Sequence, residues 1–145
     1  ETYQIIHLCG SGNLDTTLTK TNGYVQYEYV NDMLPHLFSI TDFMVSRAGS
    51  NAINEFVYMH LPSLLIPLSK KSSRGDQILN AKAFKSKGYS DVLFEEDLCV
   101  QTLIASIHRL YNQLSVFKKA LSTGKESTGT QNVYDELKSV LSKEV

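Results

Sequence analysis

Hydrophobic positions in this sequence alternate between short strand-like runs and longer stripes with helical spacing. The short runs predict five strands, at residues 3–9, 24–29, 43–46, 63–67 and 89–94. Between them, apolar residues three and four positions apart predict helices, chiefly at residues 51–60, 76–87 and 98–111. Strands that alternate with helices are typical of an α/β protein with a parallel, doubly wound sheet.

Polar and special residues at the ends of these runs predict where the elements begin and end. Asp32 is the predicted N-cap of a helix through residue 40, with Pro35 in its first turn. The acids at residues 95–97 are predicted to begin the helix that continues to residue 111, because a helix N-terminus favours negative charge. Gly88 is predicted to follow the end of the helix before it.

Composition excludes several classes of protein. The 145 residues are 42% hydrophobic, which suits one domain, predicted at residues 1–121, followed by a linker and a C-terminal helix at residues 122–145. A net charge of −1 gives no electrostatic reason to expect nucleic acid. No apolar run approaches the roughly 20 residues of a membrane span, and the four His residues lack the spacing of a metal site. We expect no metal and no cofactor.

The stretch at residues 45–55 (VSRAGSNAINE) is the strongest candidate for a functional site. A buried strand ends there in a small-residue turn at residues 48–50, and a helix is predicted to start at Asn51. Glycine permits such a turn and lets a ligand approach the backbone. The first N–H groups of a helix have no intrahelical acceptor and attract anions, while Glu55 is close enough to accept hydrogen bonds from ribose hydroxyls. On this pattern alone, a phosphate or nucleotide site and a simple capped turn are equally open.

Several motifs, taken together, resemble a known family. They are residues 29–33 (YVNDM), 46–55 (SRAGSNAINE), 61–62 (LP), 65–67 (LIP) and 73–81 (SRGDQILNA). In order and spacing they resemble the C-terminal, nucleotide-sugar-binding half of the MurG glycosyltransferases, over residues 3 to about 113. The resemblance implies a Rossmann-like domain, the C-terminal half of a two-domain GT-B enzyme. The first strand of that half, which lies at the centre of such a sheet, and the glycine-serine loop after it have no counterpart here. We expect the sequence to be part of a longer protein.

Carried over by position, the resemblance implies a UDP-GlcNAc site. Its residues would be Tyr29, Val30, Met33, Arg47, Ser50, Asn51, Ala52, Ile53, Asn54, Glu55, Asp76, Gln77 and Asn80. The backbone of Val30 would contact the uracil edge, with Tyr29 nearby and Met33 lining the pocket.

The remaining roles follow from the same resemblance. Backbone N–H groups of residues 50–52 would hold the diphosphate, and Glu55 would bind the ribose. Gln77 would hydrogen-bond the sugar hydroxyls, with Asp76 and Asn80 beside it. Arg47 would either steer a phosphate or brace the turn.

The implied reaction is an inverting transfer of GlcNAc from UDP-GlcNAc to the 4-hydroxyl of a lipid-linked muramoyl-pentapeptide (lipid I), which gives lipid II for peptidoglycan synthesis. The acceptor would bind the family's N-terminal half, which is absent from this sequence. No catalytic residue is therefore assigned, and the stretch alone is expected not to transfer sugar. The full protein is expected to be cytoplasmic and peripheral on the inner face of the bacterial cell membrane.

Two alternatives stay open at this point. The chain could be the donor-binding part of another GT-B enzyme, such as a nucleotide-sugar epimerase or a glycolipid synthase. It could also be a non-catalytic nucleotide-sugar-binding subunit that needs a separate acceptor-binding chain.

Overall fold

The computed structural model describes residues 3–70, 72 and 74–124. The chain forms two compact units, Glu1–Thr41 and Asp42–Val145. All five predicted strands are present, all their pairings are parallel, and the α/β class is confirmed. The predicted C-terminal helix lies outside the described residues.

Among its described residues, the first unit contains a two-stranded parallel sheet, a short 3-10 helix (Thr16–Leu18) and one α-helix. Strand β1 (Ile5–Leu8) pairs with β2 (Tyr24–Tyr27), and Ile5 lies opposite Tyr24. Helix α1 (Leu34–Ser39) follows, with Pro35 in its first turn as predicted. The prediction for its N-cap was wrong: the cap is Met33, and no side chain bonds the first N–H groups. Proline at this position needs no such bond, because it has no N–H of its own.

The second unit contains a three-stranded parallel sheet in the order β3 (Met44–Ser46), β4 (Ser63–Leu65) and β5 (Ser90–Val92). The strands thus form two sheets rather than one continuous sheet.

Helices follow the strands of the second unit in sequence. They are α2 (Ser50–Tyr58), α3 (Asp76–Ser86), α4 (Val100–Asn112) and α5 (Leu114–Thr123). Gly88 follows α3 as predicted, with φ of 74° in the left-handed region that favours glycine. In the last turn of α5, the hydroxyls of Ser122 and Thr123 donate to the carbonyl of Lys119.

The acids at residues 95–97 do not begin α4. They form a separate 3-10 turn, Glu95–Asp97, because Leu98 is extended, with φ of −74° and ψ of 113°. The N-cap of α4 is Cys99, whose N–H donates to the hydroxyl of Thr102 over 2.9 Å. The acidic residues therefore do mark a helical turn, but this turn is separate from α4.

The core of the second unit is built around β4. Residues 61–67 are all buried, as predicted for a strand in a sheet that is covered on both faces. Leu64 of this strand belongs to a cluster of buried apolar side chains with Ile66, Leu93 and Leu110. The half-buried side chains of Phe43, Leu103, Ile107 and Phe117 pack against this cluster. Burial of this kind, at about 25 cal/mol per Å² of apolar surface, is the main stabilising contribution in a domain of this size.

Strand β5 carries one buried carboxylate, Asp91, which is 6% exposed. Its oxygens accept from Nε of Arg109 on α4 over 2.6 Å and from Nζ of Lys85 on α3 over 3.2 Å. Burial by itself raises the pKa of Asp91. Arg109, the N–H of Val92 and Lys85 together outweigh that effect and hold the pKa of Asp91 below its ordinary value. The carboxylate therefore links two helices to the strand.

Asp91→Asn should reduce the free energy of unfolding by about 1–3 kcal/mol at pH 7, because two cations lose a buried charged partner. The pKa of Asp91 is lower in the folded chain than in the unfolded chain. Its contribution to the free energy of unfolding is therefore fully present above the unfolded pKa of about 3.9, and it disappears as the pH falls through the folded pKa. Urea unfolding from pH 6 to pH 2 should therefore show the wild-type chain losing more stability below about pH 4 than the variant. Parallel pH profiles for the two proteins would contradict this account.

Candidate functional site

The candidate site lies at the carboxyl edge of the three-stranded sheet. Ser46, Leu65 and Val92 are the last residues of the three strands; Ser46 pairs with Leu65, and Leu65 pairs with Val92. The segments that follow the strands therefore begin side by side at one edge. This is where ligands bind in open α/β sheets.

The first N–H groups after the turn between β3 and α2 have no acceptor in the part of the chain that the structure describes. Helix α2 begins at Ser50, one residue before the predicted start, and Gly49 is its N-cap. The N–H of Ile53 makes the first intrahelical bond, to the carbonyl of Gly49 over 3.1 Å, and no side chain caps the helix. The N–H groups of residues 50–52 thus precede the helical ladder, at the end where the macrodipole is positive.

Gly49 is not required by the backbone conformation of this turn. Its φ of −68° and ψ of 137° are available to any residue, so the prediction that glycine permits the turn was wrong. A Cβ added at Gly49 would meet no described atom within 4 Å. Apart from its chain neighbours, no described atom fills the space beside Gly49, so this space leaves room for a ligand to approach the backbone.

Helix α3 supports the same edge through two of the predicted site residues. The Oε1 of Gln77 accepts the N–H of Leu68 over 3.1 Å, and the Nδ2 of Asn80 donates to the carbonyl of Ala48 over 3.2 Å. The first contact holds the loop after β4, and the second holds the turn before α2. Asp76 is exposed at the first position of the helix. The roles of Gln77 and Asp76 as sugar contacts stay predictions.

Arg47 makes contacts that brace the turn. Its Nη1 donates to the carbonyl of Ile66 over 3.2 Å and lies 2.9 Å from Oε1 of Glu95. The role of steering a phosphate stays a prediction.

Glu95 was predicted from the sequence only to begin a helix, and not to belong to the site. Its Oε2 accepts the N–H of Ser69 over 2.9 Å, while Oε1 pairs with Arg47. Hydrogen bonds from Ser69, followed by those from Arg47, hold the pKa of Glu95 below its ordinary value. The available signal was its place in the chain, three residues after the last residue of β5 and therefore at the same edge as the turn.

The other predicted residues of α2 divide between surface and core. Asn54 and Glu55 are exposed, and Ala52 is half-buried. Ile53 differs, because its side chain is 2% exposed and its N–H is already bonded within the helix. Its observed contacts are those of helix packing.

Three predicted site residues belong to the first unit. Tyr29 is exposed after the end of β2, Val30 is half-buried, and Met33 is exposed at the N-cap of α1. Their contacts with the uracil stay predictions of the resemblance.

The described residues offer no site for a metal ion and no membrane-spanning helix. Among residues 3–70, 72 and 74–124, no group of three or more His, Cys, Asp or Glu side chains is arranged to hold a metal ion. None of the helices described in the structure is long and apolar enough to cross a membrane.

Sequence comparison identifies close relatives. UDP-N-acetylglucosamine–N-acetylmuramyl-(pentapeptide) pyrophosphoryl-undecaprenol N-acetylglucosamine transferase 2 from Bacillus thuringiensis subsp. konkukian is 54% identical over 130 residues, which cover 88% of this chain and 37% of the relative. The transferases of the same name from Geobacillus kaustophilus and Clostridium botulinum are 50% and 48% identical, over 90% and 94% of this chain and 37% and 38% of the relatives. The chain therefore spans less than two fifths of their length.

The family comparison covers nearly the whole chain. The sequence profile described as "Glycosyltransferase family 28 C-terminal domain" matches residues 1–137. This match and the relatives confirm the resemblance to the MurG glycosyltransferases. Its parallel strands and the uncapped helix start at the carboxyl edge of the three-stranded sheet agree with this match. The chain belongs to the family of glycosyltransferase family 28 C-terminal domains.

Proposed function

We propose that this chain is the donor-binding half of an inverting glycosyltransferase that moves GlcNAc from UDP-GlcNAc to the lipid-linked muramoyl-pentapeptide acceptor. The observation that carries the proposal is the start of α2, where three N–H groups without an acceptor among the described residues follow the turn after β3. The relatives support the choice of donor and acceptor, since their names specify both.

The diphosphate of the donor would lie against the N–H groups of residues 50–52. A helix N-terminus carries roughly half a positive charge, and its orphan donors satisfy phosphate oxygens without desolvating a charged side chain. The open space at Gly49 would admit the phosphates. Arg47 is already paired with Glu95, so the backbone rather than this side chain would provide most of the attraction.

The sugar and ribose would be bound on either side of the phosphates. Glu55 is exposed about one turn into α2, where its carboxylate would accept hydrogen bonds from the ribose hydroxyls. The amide nitrogen of Gln77 would donate to the GlcNAc hydroxyls, since its oxygen is occupied by Leu68. The rest of the sugar and ribose site would be lined by Asp76, Asn80 and Asn54.

In the transfer, the 4-hydroxyl of the acceptor attacks the anomeric carbon, the bond from that carbon to the UDP oxygen breaks, and the hydroxyl proton passes to a base. Negative charge then grows on the departing UDP. The N–H groups of residues 50–52 would stabilise that charge in the transition state, because they are fixed before the reaction begins. The acceptor, the base and the contact with the inner face of the membrane would belong to the part of the protein that the relatives have in addition.

Calorimetric titration of the chain with UDP-GlcNAc, UDP-glucose and UDP tests the proposal. We expect binding that favours UDP-GlcNAc over UDP-glucose, because the sugar contacts were inferred for GlcNAc. Preference for another sugar nucleotide would favour a different GT-B enzyme such as a glycolipid synthase. No binding of any of the three by the folded chain would contradict the donor-binding role.

Asn51→Pro tests the phosphate contact without removing a side-chain ligand. Residue 51 is the second position of α2, where proline is tolerated; α1 already carries Pro35 at its second position. The variant should keep its fold and lose one N–H donor to a charged group, which corresponds to roughly tenfold or more in UDP affinity.

The matched control is Asn51→Ala, which removes the side chain but keeps the N–H. It should bind UDP within about twofold of the wild-type chain if the backbone provides the contact. Equal affinity of Asn51→Pro and the wild-type chain would exclude this N–H from the phosphate site.

A further inference from the structure

Glu95 is the side chain that connects the segments at the carboxyl edge of the sheet. It follows β5, and its two oxygens contact different neighbours. Oε1 lies 2.9 Å from Nη1 of Arg47, in the turn after β3. Oε2 accepts the N–H of Ser69, in the loop after β4, over 2.9 Å. One carboxylate therefore links the segments that follow all three strands.

Arg47 completes this connection. The same Nη1 that pairs with Glu95 also donates to the carbonyl of Ile66, at the beginning of the loop after β4. The loop is thus held at two points, by Arg47 at Ile66 and by Glu95 at Ser69. Arg47 and Glu95, the two side chains that hold the loop, also bind each other.

We propose that Glu95 is a positioning residue for the donor site, which fixes the turn before α2 and the loop before α3 relative to each other. This inference rests on the proposed function, because the first segment would bind the diphosphate and the second leads to Gln77. Glu95 itself lies outside the predicted set of donor contacts. Its part is to order the backbone that makes those contacts.

A carboxylate suits this task better than any other side chain. It offers two acceptor oxygens of one charge, so it can satisfy a guanidinium and a backbone N–H at the same time. The pKa of Glu95 lies below its ordinary value, so the carboxylate is ionised throughout the neutral range. A glutamine would keep one acceptor oxygen and lose the charge that pairs with Arg47.

The energetic consequence would appear on donor binding. Without Glu95, the turn and the loop would sample more conformations in the free chain. The donor would then have to order them, and that cost would reduce its affinity although no donor contact had been removed. The pair itself is half-exposed, and such a pair contributes little to global stability. Local order, rather than the melting temperature, is therefore the quantity that should change.

The experiment compares Glu95→Ala and Glu95→Gln with the wild-type chain, with Glu96→Ala as the matched control. Glu96 is the next residue and is exposed. Two quantities are measured: amide hydrogen exchange of Ser69 and of the core residue Leu65 without ligand, and the Kd for UDP-GlcNAc. Glu95→Ala should speed exchange at Ser69 and weaken donor binding by roughly five- to tenfold, with exchange at Leu65 unchanged.

Glu95→Gln should recover part of both effects, since its amide oxygen can still accept the N–H of Ser69. Glu96→Ala should match the wild-type chain. Unchanged exchange at Ser69, or faster exchange with unchanged Kd in Glu95→Ala, would overturn the positioning role alone. Equally faster exchange at Leu65 would also overturn it, because the effect would then be global destabilisation. Failure of the wild-type chain to bind donor would instead overturn the proposed function and, with it, this role.

Discussion

Parallel pairing brings the ends of β3, β4 and β5 to the same edge of the sheet, and every feature of the candidate site depends on that register. Ser46 lies beside Leu65, which lies beside Val92. Strand β4 lies at the centre of this sheet, with all three of its residues buried and its backbone paired on both sides. Its pairings with β3 and β5 therefore set where the three following segments begin.

Two carboxylates then connect the elements around β5. Asp91, within the strand, holds Lys85 of α3 and Arg109 of α4. Glu95, just after the strand, holds Arg47 and Ser69. The first orders helices and the second orders loops. Because Arg47 is paired in this way, the proposed function places the anion against the N–H groups at the start of α2, which need no rearrangement.

Much of this could be predicted from the sequence, because strand-like runs and helical stripes depend on local patterns of burial. The five strands and the end of α3 at Gly88 followed from such patterns. What could not be predicted were partners distant in sequence. Nothing near Glu95 indicates that it accepts from Ser69, 26 positions away. The role of Gly49 was misjudged for a related reason, since sequence does not reveal φ and ψ. The division of the strands between two sheets likewise depends on long-range pairing.

In the proposed function, a nucleotide sugar binds at the carboxyl edge of the three-stranded sheet through the first N–H groups of α2. The most direct test is to follow the backbone amide resonances of the isotopically labelled chain during titration with UDP-GlcNAc. Within the second unit, we expect the largest saturable chemical-shift changes at the amides of residues 50–52 and of Gln77. Shifts concentrated around Asp91 and Arg109, with residues 50–52 unaffected, would contradict it.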